Sequence, residues 1–543
     1  MPDISPYTAT LGRRLAAHLL RRTTYGSTKA LIDAYATKTV AQAVNELLTF
    51  APITTKPIDP VTNTTWVDSA AAPVTTSDIN ALRAYVIGWY IDVMRTDNTV
   101  RSKMMFFLHQ NWVVSDDAWS SQELYDHIKL LEYYALGSYK NLAIKMCRDL
   151  RMMVYLNGYQ NSAAAPNENY AREVLELFTI GKGPQIAAGN YTNYTENDIK
   201  EAAKVFTGYY YDLNDAVRDP DTGLRRSSAS TWGDHHSGNK VFSGAFQNTT
   251  ITGGSTEAAM TSELQQFMNM VFNQTATAKN ICRKLYRYFV HKNITAAVEA
   301  DIITPLATTL KNSNYDLKVA LSQLLQSKHF YDMDDANSTD NKIGAIVKNP
   351  LELVLGTCRH FSISPFAMPG ATPYTVWDDF YKEAVKYVFC ANADMKIFST
   401  TTVAGYPALY LAPKYDRHWF DNSSITQRYY LGKCLLENKC HPYDTWRSFG
   451  AVIDIVLWVR NNIAAPSNAG ALVDELVNNL YAEIPTTARR SYFLNDILLG
   501  TLQPSEWATE WNNYINTGNT NVVKPRLEKL YKTILYAHEM QVQ

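Results

Sequence analysis

The stretch "PNENYAREVLELFTIGKG", residues 166–183, carries the clearest helical signal in the chain. Pro166 and Asn167 suit a helix entry, Glu168 suits the positive end of the helix dipole, and Gly181 suits a C-terminal stop. At about 100° per residue, Arg172, Glu176, Asn169 and Glu173 all fall within about 140° of Glu168. Tyr170, Ala171, Val174, Leu177 and Phe178 fill the opposite arc, with Leu175 just outside it. The spacing predicts an amphipathic helix with an ionic side and an apolar side. Arg172 stands one helical turn from both Glu168 and Glu176, so it reaches either. Two readings stay open. Exposed pairs of this kind contribute only about 0.3–0.5 kcal/mol and decorate many solvated faces. Turned into a cleft, the same carboxylates around one Arg would bind a cation or polarise a substrate.

Working outward, apolar residues recur at three and four from "LGRRLAAHLLRR" (11–22) to the last helix pattern at 524–540. Strand-like alternation is scarce. The pattern predicts a mainly α, large multi-helix globular fold with loop-rich insertions and few short β pieces. Residues 51–76, 209–255 and 391–423 read as long loops. The expected organisation is an N-terminal helical part (1–208), a loop-rich insert (209–255) and a C-terminal helical part (256–543) continuing the first. Ser77 and Asp78 read as the start of a long helix, Thr99 as the N-cap of the next, and 443–463 as one helix.

Composition narrows the function classes. Only 19% of the 543 residues are charged, against about 25% in a typical soluble domain, and there are 35 Tyr. Such a surface relies on neutral hydrogen-bonding groups, as in many exported proteins. Basic and acidic residues balance, 51 against 52, so nothing global favours nucleic acid. No apolar run approaches the ~18 residues of a spanning helix, so no transmembrane segment is expected. The N-terminus shows no signal-peptide core, so export implies a signal already removed. No CxxC, HExxH, GxGxxG, P-loop or GxSxG occurs, which leaves metal and cofactor unassigned. Cys147, Cys282 and Cys358 sit in apolar helical patterns and read as core residues. Cys434 and Cys440 are either a disulfide or free thiols.

Other residues could carry chemistry. A glycosidase needs two carboxyls flanking one bond, and Glu173 and Glu176 project side by side from one helix. "YTENDIKEAAKVFTG" (194–208) offers Glu196, Asp198 and Glu201 as a second carboxylate, although Thr195 and Asp198 also look like a helix cap. His109, between aromatics in "FFLHQNWV", reads as a core residue or a ligand. "WGDHHSGNK" sets His235 and His236 together, but adjacent side chains diverge. "GYPALYLAPKYDRHWFDNSS" (405–424) combines Tyr406, Tyr410, Tyr415, Arg417, His418 and Trp419, either a ligand platform or a staple for a long loop.

Taken in order, these motifs resemble a large bacterial family known as domain of unknown function 1800. The resemblance runs through "HLLRRTTYG" (18–26), "RSKMMFFLHQNW" (101–112), "AAPNENYAREVLELFTIG" (164–181) and "YTENDIKEAAKVFTGY" (194–209). It continues in "HHSGNKVFSG" (235–244), "CRKLYRYFV" (282–290), "KNPLELVLGTCR" (348–359) and, loosely, "TVAGYPALYLAP" (402–413). It covers roughly 10–430, and the last hundred residues match less clearly. The PNEN block is its most specific part. Asn111 and Leu108 depart from it, standing where the family often has a second His and a Trp.

The resemblance implies a mostly α-helical, usually exported protein. Together with the residues it suggests a hydrolase or lyase acting on an extracellular glycan. Glu173 or Glu176 would be the acid/base, Arg172 would fix ionisation and His236 would assist. Glu168, Asn169, His109, Glu201 and Lys240 would bind substrate. The alternative is a secreted binding or surface-assembly protein, partnered by a glycan or a surface protein, with the ionic helix a structural network. Oligomeric state is unassigned.

Overall fold

A computed structural model describes residues 2–59, 61–68, 79–115, 120–211, 217–230, 233–335, 346–363, 365, 378–400, 402–439 and 448–543. Helices make up 58% of it, and strands form only short two-stranded pairs among the described residues, so the fold is mainly α. Gln185–Ala187 pairs with Asn190–Tyr191 just after the PNEN helix. In the loop-rich stretch, Tyr209–Tyr210 pairs with Ser228–Ala229, and Lys240–Val241 with Thr250–Ile251.

Local sequence sets many helix starts. Thr39 with Gln42, Thr195 with Asp198, and Asn349 with Glu352 form reciprocal caps, each contributing about 1 kcal/mol. Two starts differ from the sequence reading. Asp97 receives the amides of Thr99 at 2.9 Å and Ser102 at 3.0 Å, so Arg101–Asn111 begins from Val100, one residue late, with the Thr99 hydroxyl still accepting the Arg101 amide at 3.3 Å. A carboxylate offers two acceptor oxygens where Thr offers one hydroxyl. The helix expected over 443–463 runs only Ile455–Asn462 among the described residues, because Asp454 accepts the Leu457 amide at 3.0 Å and fixes its start. Ser77, Asp78 and Cys440 lie outside the described residues, whereas Cys147, Cys282, Cys358 and Cys434 are buried.

Buried apolar side chains from Leu11 to Met540 form one contiguous cluster. Full burial of a Leu or Phe contributes roughly 1.5–3 kcal/mol. Two distant motifs meet in it. Gly26, at φ +104°, lies so close to Gly356 that a Cβ would collide with the Gly356 backbone. No helix among the described residues is long and apolar enough to cross a membrane.

Candidate functional site

Asn167 caps the PNEN helix by accepting the Tyr170 amide at 3.0 Å. The α-helical part, Glu168–Glu173, then widens into a π-helical turn, Val174–Phe178. The Thr179 hydroxyl closes that turn by donating to the Val174 carbonyl at 2.7 Å. Wide turns shift the register, so Leu175, off the apolar arc of a regular helix, is fully buried. Other elements take the carbonyls left at the helix end. Lys284 Nζ donates to Leu177 at 2.5 Å, the Tyr139 hydroxyl to Phe178 at 2.9 Å, and the Asn280 amide to Thr179 at 2.7 Å. A cation at this end also suits the dipole.

The widened turn forms one wall of a cavity of about 250 Å³. Glu176, Leu177 and Phe178 face it from the turn, and Gln110 and Asn111 from the end of Arg101–Asn111. The helix Thr275–Phe289 adds Lys284 and Arg287, and Pro350–His360 adds Glu352. The aromatic loop covers it with Tyr410, Tyr415, Asp416 and Trp419. Trp419 packs on Tyr406 at 5.3 Å as a staple, and Tyr410, Tyr415 and Trp419 all line the cavity. Tyr415 adopts φ +44°, a left-handed conformation that is strained for a bulky residue, and stacks under the Arg287 guanidinium at 4.8 Å.

Gln110 is only 8% exposed, yet neither its amide nitrogen nor its oxygen has a hydrogen-bond partner among the described residues. Asp416 is anchored by the Val347 amide at 2.7 Å through one oxygen, and its other oxygen lies 3.8 Å from Lys292 Nζ, beyond hydrogen-bond distance. Glu176 is held by Lys182 at 2.6 Å and the Tyr194 hydroxyl at 3.2 Å. Burial, with Arg287 beside it, brings Lys284 down to about 8. Among the described residues, no group of three or more His, Cys, Asp and Glu is placed to hold a metal ion.

The sequence profile of a family described as protein of unknown function (DUF1800) matches residues 18–533. The chain belongs to that family. The match extends beyond residue 430, so the C-terminal hundred residues are part of the family's architecture as well. No curated protein matches the chain, and no solved structure does.

The family's PNEN block therefore supplies one wall of the cavity, but its ionic residues part company. Arg172 pairs with neither acid of its own helix. It grips Glu196 of the following helix with both terminal nitrogens, one at 3.0 Å, at 30% and 41% exposure. A two-pronged Arg–carboxylate pair outcompetes single contacts one turn away. Glu173 is half-buried with no hydrogen bond or ion pair among the described residues, and burial followed by Glu176 pushes its carboxyl upward. Glu168 and Asn169 are exposed.

The remaining candidates sit elsewhere. His109 is fully buried against Phe398 at 4.1 Å, one residue from the cavity; burial and His127 bring it down to about 3. Glu201 pairs with Lys204 at 2.6 Å and accepts the Val241 amide at 3.1 Å. Lys240 is buried against Glu263, which also accepts from His235 at 3.2 Å and the Gly254 amide at 2.8 Å. His236 donates its amide to Thr207 at 2.9 Å, and its carbonyl accepts from Lys240 at 2.5 Å. Of the residues given a catalytic or substrate-binding role from sequence, Glu176 alone lines the cavity, joined by Tyr410, Tyr415 and Trp419 of the aromatic loop. Sequence reading missed Gln110, Lys284, Arg287 and Asp416. Lys284 and Arg287 stand one turn apart in "CRKLYRYFV", a spacing that puts two cations on one helix face.

Proposed function

We propose that the cavity under the aromatic loop binds a sugar unit of a glycan and that the protein is a hydrolase or lyase acting there. The observation that carries this reading is Gln110. A buried amide without partners costs roughly 1–3 kcal/mol and calls for an explanation. A sugar hydroxyl both donates and accepts, so it satisfies either end of the amide. The Tyr410 and Tyr415 rings supply the apolar faces on which sugar rings pack. Glu176, ion-paired to Lys182, presents a carboxylate to the same space and is the general base in this reading.

A binding protein is the second reading. The Arg172–Glu196 clasp favours it, because an ionic residue of the PNEN block ties two helices together outside the cavity. Incubation of the purified chain with a panel of oligosaccharides separates the two. The enzyme reading expects cleavage, lost in Glu176→Gln with binding kept. Binding without turnover in either protein selects the second reading, and absence of any glycan binding overturns both.

A further inference from the structure

The cavity is lined by three acids and three cations, but they do not pair with one another evenly. Its acids each have a cation of their own: Glu176 has Lys182, Glu352 has buried Lys103, and Asp416 has Lys292 at 3.8 Å. Two cations are left over. Lys284 donates only to the Leu177 carbonyl and has no carboxylate partner among the described residues. Arg287 makes no ion pair there either; it rests on the Tyr415 ring, and its Nε is buried without an acceptor. Desolvated cations without counter-charges are costly to the folded chain. Both line the same cavity from one helix face, beside the unpartnered Gln110 amide. The strained Tyr415 backbone holds the ring that orients Arg287.

We propose that the Lys284–Arg287 pair is an oxyanion subsite and that the sugar bound here is an acidic one, carrying a carboxylate, sulfate or phosphate on its ring. This rests on the sugar reading above and adds the charge. Arg287 offers a planar fork suited to two oxygens, and Lys284 a point charge beside it. Gln110 meets a hydroxyl of the same ring, and Tyr415 packs beneath.

Titration calorimetry on the full chain tests it, with glucose, glucuronate, glucose 6-sulfate and glucose 6-phosphate as probes. At least one charged sugar is expected to bind about tenfold or more tightly than glucose. The charged probe that binds best identifies the oxyanion. Added sodium chloride is expected to weaken that probe and leave glucose unaffected, a readout that needs no variant. Lys284→Met and Arg287→Met are each expected to bring the charged sugar to the level of glucose. Equal affinity for glucose and every charged probe overturns the oxyanion subsite and leaves the sugar reading standing. A charge preference that survives in both variants overturns the assignment to these residues. No binding of any sugar overturns this inference together with the reading beneath it.

Discussion

Glu263 and Arg287 are both charged groups set deep in one chain, and their surroundings are opposite. Glu263 is enclosed: His235, Lys240 and the Gly254 amide all donate to its carboxylate. Burial alone would raise its carboxyl, but the hydrogen bonds from His235 and Lys240 outweigh that and hold it below the usual range. The cluster pins the loop-rich stretch to the helix Glu257–Asn273. Arg287 faces a cavity with an aromatic ring beneath it and, among the described residues, no carboxylate paired to it. Closed clusters position chain segments, whereas open ones await something from outside. Neither "HHSGNKVFSG", with one Lys and two His, nor "CRKLYRYFV", with three cations, shows in sequence which cation meets a carboxylate; only the surroundings tell.

The largest effect of a single substitution is expected in the closed cluster. Glu263→Gln leaves Lys240 buried without its counter-charge and is expected to cost about 3–5 kcal/mol in urea unfolding. Sugar affinity in the fraction still folded is expected to stay unchanged; a parallel loss would show that the two regions are not separate. Acid comes next. His109 is held at about 3 and His360 at about 4, both by burial first. Each lies below its unfolded value near 6.5, so the unfolded chain takes up a proton that the folded chain refuses. The stability they confer is complete above about pH 6.5 and declines as pH falls toward 4, by up to about 1.4 kcal/mol per pH unit for each. Unfolding followed across that range checks the slope, and His109→Phe should flatten it. The smallest effect is expected at the half-exposed clasp: Arg172→Ala should change stability by less than about 1 kcal/mol, because solvent screens the pair. A larger loss would move Arg172 into the class of Glu263.

Legibility followed the range of the interactions. The mainly α fold was readable from apolar spacing, and the caps at Asn167 and Thr195 from residue types within one turn of each helix start. The π turn was not, because its carbonyls are taken by Lys284, Tyr139 and Asn280 from elsewhere in the chain. Arg172 shows the same limit: its one-turn neighbours were visible, and its partner Glu196 came from another helix. Gln110 gave no signal, since an unpartnered buried amide exists only once the chain is packed.

In this reading Gln110 is kept for a ligand and not for the fold. The unfolding free energy of Gln110→Leu without ligand tests it directly and needs no knowledge of the substrate. An orphaned buried amide lowers stability, so its replacement by a similar apolar side chain is expected to raise stability by about 1 kcal/mol while sugar binding is lost. A variant that is destabilised by as much, with binding intact, would contradict the account.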